Sequence, residues 1–180
     1  MPEDNTPEQA SYLNPDDAAL LNMMRIFVAE ASRVYDARLP ASPEEALFVD
    51  GPEVAYRLLG PEMAHLAQEQ LRTINLNVKH RMLGTHLIYQ GTLRTTTLRL
   101  AEIFRPAIIE RASGIIVVHN HPSGDPTPSQ DDIRTTQHLH DAGKLLDIEV
   151  LDHVVVAASG FVSLRERGLG FDGPPYVGRR

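Results

Sequence analysis

The chain has no cysteine among its 180 residues. That excludes disulfides and thiolate metal sites, leaves histidine and carboxylate as the ligands for any transition metal, and fits a reducing cytoplasm. Long hydrophobic runs are missing too. No segment approaches the ~20 apolar residues that a membrane span requires. The N-terminus lacks the basic-then-apolar pattern of an export signal, so a cytoplasmic location is expected. There is no basic excess either. The net charge is −7, and five acids (Glu3, Asp4, Glu8, Asp16, Asp17) precede the first base, so the remainder carries about −2. A duplex-binding protein usually shows a strong basic excess. The local clusters Lys79-His80-Arg81 and Arg94 with Arg99 read as solvated turn and strand faces. No internal repeat or low-complexity block is present. The length suits one domain with an appendage, and the apolar content allows a proper core.

The stretch that carries chemistry runs from Val117 to Asp132. Ile115 to Val118 form an apolar, β-branched run that suits a strand buried on both faces. His119 and His121 lie two apart, so on an extended chain they point the same way. Pro122, Pro126 and Pro128 restrict the loop that follows, and Gly124 allows a tight turn. Asp125 is read as a turn residue. Ser129, three residues before Asp132, reads as a helix cap. Folded this way, the loop returns the Asp132 carboxylate to the two imidazoles. Two histidines and one carboxylate form a catalytic zinc set with the fourth position left to water. Ser129, near such a metal, could also donate to an oxyanion.

The spacing His-x-His, seven residues, Ser, two residues, Asp resembles the signature of the JAMM (MPN-plus, JAB) metalloproteases. The run His119-Asn120-His121-Pro122-Ser123-Gly124-Asp125-Pro126-Thr127-Pro128-Ser129 is similar to the bacterial RadC branch. The resemblance covers about residues 43 to 169. It includes Gly91-Thr92-Leu93, Val150-Leu151-Asp152-His153 and Val162-Ser163-Leu164-Arg165-Glu166-Arg167-Gly168. It implies an α/β fold of the MPN/JAB (cytidine-deaminase-like) kind, a mixed curved β-sheet sandwiched by helices. It also implies a glutamate where a helix gives way to the first strand, a position that Glu69 occupies here; Glu62 is the competing choice, about two helical turns earlier. Glu69 would then serve as general base and Ser129 as oxyanion donor, around Zn2+ held by His119, His121 and Asp132.

The order of elements is legible from the N-terminus onward. Residues 1–13 read as a disordered acidic tail, and residues 14–41 as an N-terminal segment holding one amphipathic helix (about 15 to 38). Residues 42–169 form the metal domain, and 170–180 a flexible tail. Within the domain, Ser42-Pro43-Glu44-Glu45 resembles a capping box. A short helix or kinked pair is expected over about 52–68, interrupted at Gly60-Pro61. Strands are expected at about 71–78 and 82–90. Leu100 to Ala112 has helical period, with Pro106 either kinking it or opening a second helix. The Ile115 strand, a helix over about 130–145, a strand from Ile148 to Ala158 and a short strand from Phe161 to Leu164 follow. Strands and helices in this order suit a mixed α/β sandwich. His153 reads either as a hydrogen-bonded core histidine or as a residue that orients a ligand. His138 and His140, two apart on a helix, read as solvated. Arg165-Glu166-Arg167 reads as a surface ion-pair run.

Three functions compete. The complete ligand, base and hydroxyl set favours a zinc-dependent hydrolase acting on a peptide or isopeptide bond of a peptide or protein substrate. RadC proteins are linked by name to DNA repair, which raises a nucleic-acid-associated module or a metal-dependent nuclease. The family's longer N-terminal region carries a helix-hairpin-helix element, whereas one helix is read here. Many MPN domains are noncatalytic scaffolds, but those that lost activity generally lack ligands, and none is lacking here. The N-terminal helix could pack on a second copy, giving a homodimer.

Overall fold

A computed structural model describes residues 46–91 and 99–173. These lie within the compact unit Pro43–Arg180. The readings made for residues 1–13 and 14–41, the capping box at Ser42 and the polar loop near Thr95 fall outside the described residues.

Helix α1 (Pro52–Met63) opens with proline in its first turn and Glu53 at the positive dipole end. Strands β1 (Gln70–Leu76) and β2 (Met82–Gln90) form an antiparallel hairpin. Helix α2 (Leu100–Glu110), strand β3 (Gly114–Asn120), helix α3 (Gln130–Leu146) and strands β4 (Glu149–Ala157) and β5 (Gly160–Ser163) complete the domain. The sheet order is β2-β1-β3-β4-β5. Only β3 and β4 run parallel, joined by α3 as the crossover; the other neighbours are antiparallel.

The alternation of β3 sorts its side chains between two cores. Ile115 and Val117 pack with Ile103, Phe104 and Leu139, the layer of α2 and α3. Ile116 and Val118 pack with Val54, Leu59 and Met63, the layer of α1. Both faces of the sheet are therefore covered, as the sandwich reading expects, and β3 is buried along its whole length. His119 continues the odd series and so falls on the α3 side of the sheet.

Gly143 brings α3 close to the sheet. A Cβ there would lie 2.5 Å from the Ile148 carbonyl oxygen and 3.0 Å from Val150 Cγ2. A backbone carbonyl cannot rotate aside as a side chain can. Gly143→Ala is therefore expected to destabilise the chain by about 1–3 kcal/mol, overpacking outweighing the gain in helix propensity. A lower urea midpoint with an unchanged slope would show it.

Several boundaries differ from the sequence reading. Helix α1 runs unbroken through Gly60-Pro61 and ends at Met63, because Pro61 sits in its final turns while the apolar face still packs; Ala67 is exposed. Pro106 lies inside a single helix, which opens no second one. Strand β1 ends at Leu76, leaving Val78 in an exposed turn. Residues 170–173 are docked where a flexible tail was expected. Phe171 is part of the core and the Asp172 carboxylate accepts from Lys144 at 2.8 Å. Arg165 lies over the Phe171 ring and His140 packs against its edge, so neither is simply solvated. The two C-terminal segments that carry the family resemblance meet at Asp152. Its carboxylate accepts from His153 N at 2.7 Å, Arg165 N at 3.1 Å and Ser163 Oγ at 2.7 Å. Burial pushes that carboxyl up to about 6.

Candidate metal centre

Strand β3 delivers His119 to the end of the sheet, where it is 1% exposed, and His121 follows where the chain turns away. The loop from His121 to Ser129 is held by its own bonds. Gly124 takes a left-handed conformation (φ +85°) and its N–H donates to the His121 carbonyl at 3.1 Å. The Asp125 carboxylate accepts from Thr127 N at 2.9 Å and Thr127 Oγ1 at 2.7 Å, the turn expected of it. Ser159 Oγ donates to the Gly124 carbonyl at 2.7 Å. At the far end Ser129 caps α3. It accepts from Asp132 N at 3.2 Å, and Asp132 Oδ2 accepts from Ser129 N at 2.7 Å. This is a capping box with aspartate in the third position, and it fixes the Asp132 side chain.

The loop so held brings His119, His121 and Asp132 together. The two Nε2 atoms are 3.0 Å apart. Asp132 Oδ1 lies 3.3 Å from His119 Nε2, and Oδ2 lies 3.5 Å from His121 Nε2. Ligands about 2.05 Å from a tetrahedral zinc ion stand about 3.3 Å from one another. The separations are of that order, with the carboxylate turning one oxygen to each imidazole, so the three residues could hold one ion.

The hydrogen bonds decide where the protons are. His121 Nδ1 faces the Asp125 carbonyl at 2.9 Å, so it must carry hydrogen. Thr136 Oγ1 spends its only proton on the Asp132 carbonyl at 2.7 Å. It must accept from His153 Nδ1, 2.6 Å away. His153 Nε2 is then bare and accepts from His119 Nδ1 at 2.7 Å. His119 and His121 thus both carry hydrogen on Nδ1 and turn Nε2 inward. Two opposed lone pairs at 3.0 Å repel unless a cation lies between them, a proton or a metal ion.

The electrostatics agree. Burial, helped by His153 and His121, pushes the His119 imidazole well below its usual range. His121 moves the other way, raised chiefly by its bond to Asp132. Burial works to raise the Asp132 carboxyl, but the bonds from His121 and Ser129 and the field at His119 outweigh it and hold the group well below the usual range. Burial pushes His153 down to about 4, which keeps it neutral as the relay requires. Burial thus favours a neutral His119, while the Asp132 carboxylate favours the charged form of His121.

Where His121 carries a proton on Nε2, metal binding must displace it. Affinity is expected to be flat at high pH and to fall about tenfold per pH unit below the His121 pKa, with the fall setting in above the ordinary imidazole value of ~6.5. Calorimetric titration in buffers of different ionisation enthalpy would register the released proton. Thr136→Val, which keeps shape and removes the hydroxyl that orients His153, is expected to weaken metal affinity about 10–100-fold with the fold intact; competition with a chromogenic chelator measures it.

Glu69 lies on the connector between α1 and β1, half-buried, one residue before the strand. Leu71 pairs with His119, and the Glu69 charge contributes to the raised pKa of His121. Glu62 is turned elsewhere. Its carboxylate takes both terminal nitrogens of Arg72, whose hydrogen bond lowers its pKa. The structure brings Glu69, and not Glu62, towards the trio. Ser129 Oγ donates to Asp132 Oδ2 at 2.6 Å. His86 pairs with Glu110 at 2.8 Å, away from the trio. Sequence reasoning missed Thr136, although its place four residues after Asp132 puts it on the same helical face.

A two-sided α/β sheet with a His-His-Asp cluster that could hold a metal ion, at the end of its central strand, is the architecture of a JAB-type domain. The family model described as "RadC-like JAB domain" matches residues 49–169. The chain belongs to that family. It is 50% identical over 136 residues to the UPF0758 protein of Roseiflexus sp. (strain RS-1), an overlap of 76% of this chain and 58% of that protein. The UPF0758 protein of Symbiobacterium thermophilum is 42% identical over 132 residues, 73% of this chain and 56% of that one. That of Caldanaerobacter subterraneus subsp. tengcongensis is 40% identical over 162 residues, 87% and 70% respectively. The chain spans a little over half the length of the first two relatives. Among the described residues no helix is long and apolar enough to cross a membrane.

Proposed function

We propose that the chain is a zinc-dependent hydrolase of the JAMM type that cleaves a peptide or isopeptide amide bond. The observation that carries this reading is the pair of inward-facing Nε2 atoms 3.0 Å apart with the Asp132 carboxylate beside them. Two imidazoles and one carboxylate, with no thiolate, suit zinc with an open position. Such an ion supplies Lewis acidity and brings water close to deprotonation at neutral pH.

The chain's own groups do the rest. Glu69 accepts the proton of the attacking water and returns it to the leaving amine. Its position on an exposed connector keeps it in reach of solvent and substrate. The Ser129 hydroxyl is a rotor: its oxygen accepts from Asp132 N, and its proton rests on Asp132 Oδ2. With the carboxylate engaged as a ligand, that proton is free to turn towards the oxyanion of the tetrahedral intermediate. The His153–Thr136 relay keeps His119 in the tautomer that presents Nε2.

The test is a cleavage screen of the zinc-loaded chain against a peptide library, an isopeptide-linked lysine substrate and a labelled DNA duplex. Chelator-sensitive amide cleavage that returns with zinc is the expected result. Cleavage of the duplex alone, or of nothing, overturns the reading.

A further inference from the structure

Asn120 lies between the two histidines, and its side chain points to the opposite face of β3. It is fully buried. Its Oδ1 accepts from Gln70 N at 2.7 Å, and its Nδ2 donates to the Gln68 carbonyl at 3.2 Å. The two bonds land on either side of Glu69. The Glu69 carbonyl itself accepts from Gly91 N at 2.9 Å. Gln90 Nε2 donates to Gln68 Oε1 at 2.9 Å. The short connector after α1 is thus gripped from β3 and from the end of β2.

We infer that Asn120 is a positioning residue that holds Glu69 in register with the His119–His121 pair. This rests on the reading of Glu69 as general base. Residues 64–69 form an irregular connector, and these bonds tie its last residues to β3 and to the end of β2. The grip comes from the residue between the two imidazoles, so base and ligands are referred to one piece of strand. A shift of β3 carries all three together. An apolar side chain at 120 would fill the pocket but leave the Gln70 N–H and the Gln68 carbonyl without partners. A base displaced by about 1 Å loses on the order of 10²-fold in rate.

The experiment uses the full chain, loaded with zinc, and the peptide cleaved fastest in the screen. Asn120→Ala is expected to lower kcat about 10²-fold, with zinc affinity within about threefold of wild type. Amide exchange at Gln70 should accelerate in the same protein. Asn120→Asp keeps the acceptor for Gln70 N and is expected to lose less than alanine does. In a Glu69→Gln background, Asn120→Ala should remove nothing further, since the group it positions is already gone. A wild-type kcat in Asn120→Ala beside an inactive Glu69→Gln protein overturns the clamp and leaves the base reading standing. So does an equal additional loss in the double variant, or a large loss of zinc affinity. Unchanged cleavage by Glu69→Gln overturns the base reading itself.

Discussion

His121→Ala is expected to take the zinc content of the purified chain from about one ion to none, and amide cleavage to background with it. Elemental analysis of protein purified without an affinity tag measures the first, and the cleavage assay the second. The size of the effect follows from the number of donors. A site of three loses one corner, and the two that remain cannot hold an ion against water and buffer. His121 is the better choice for the test because its removal leaves the core alone. His119 is 1% exposed and bonded to His153, so its loss would also open a buried hydrogen-bond chain. His121→Ala removes the bond from His121 Nδ1 to the Asp125 carbonyl, but the loop should keep its course through the bonds at Gly124, the Asp125 carboxylate, Thr127 and Ser159. A zinc-free variant with a wild-type melting profile in the absence of metal is the expected control. Wild-type protein that neither contains nor takes up zinc would sink the proposed chemistry.

Glu69→Gln separates binding from catalysis. The amide keeps the size of the side chain and removes its capacity to take a proton. A loss of about 10²–10⁴-fold in kcat is expected, with zinc content unchanged. The magnitude is that of a single general base, so residual chelator-sensitive cleavage above the metal-free chain should persist. A variant that loses zinc as well would show that the carboxylate serves the ion rather than the proton.

The ligand trio was legible in the sequence because its three members lie within one short stretch, and because each local signal has a physical cause. A β-branched run before a His-x-His pair is a strand that presents both rings on one side. A serine three residues before an aspartate is a cap that aims a carboxylate. The sandwich was legible for a similar reason: Ile115 to Val118 read as an apolar, β-branched run suited to a strand buried on both faces, and strands and helices follow one another along the chain. What escaped was non-local. Thr136 and His153 lie far apart in sequence, and their bond exists only because α3 crosses back over the sheet to β4. Asn120 reaches backbone fifty residues away, and no pattern in side-chain polarity announces it. The end of α1 and the docking of Phe171 were misjudged because tertiary packing overrides local propensity. A Gly-Pro pair reads as a break until the helix face that carries it is buried, and a glycine-rich tail reads as loose until one aromatic finds the core.

The parallel pairing of β3 with β4 through α3 has a consequence for how activity can be lost. His119, His121, Asp132, Thr136 and His153 all belong to that single strand–helix–strand passage, whereas Glu69 precedes β1, the antiparallel neighbour of β3. The His-His-Asp cluster and the groups that hold it are thus one contiguous passage of chain, and the proposed base comes from outside it. On the proposed reading, a change confined to the connector before β1 would leave the metal cluster intact and remove the base, so loss of activity and loss of metal are separable by position along the chain.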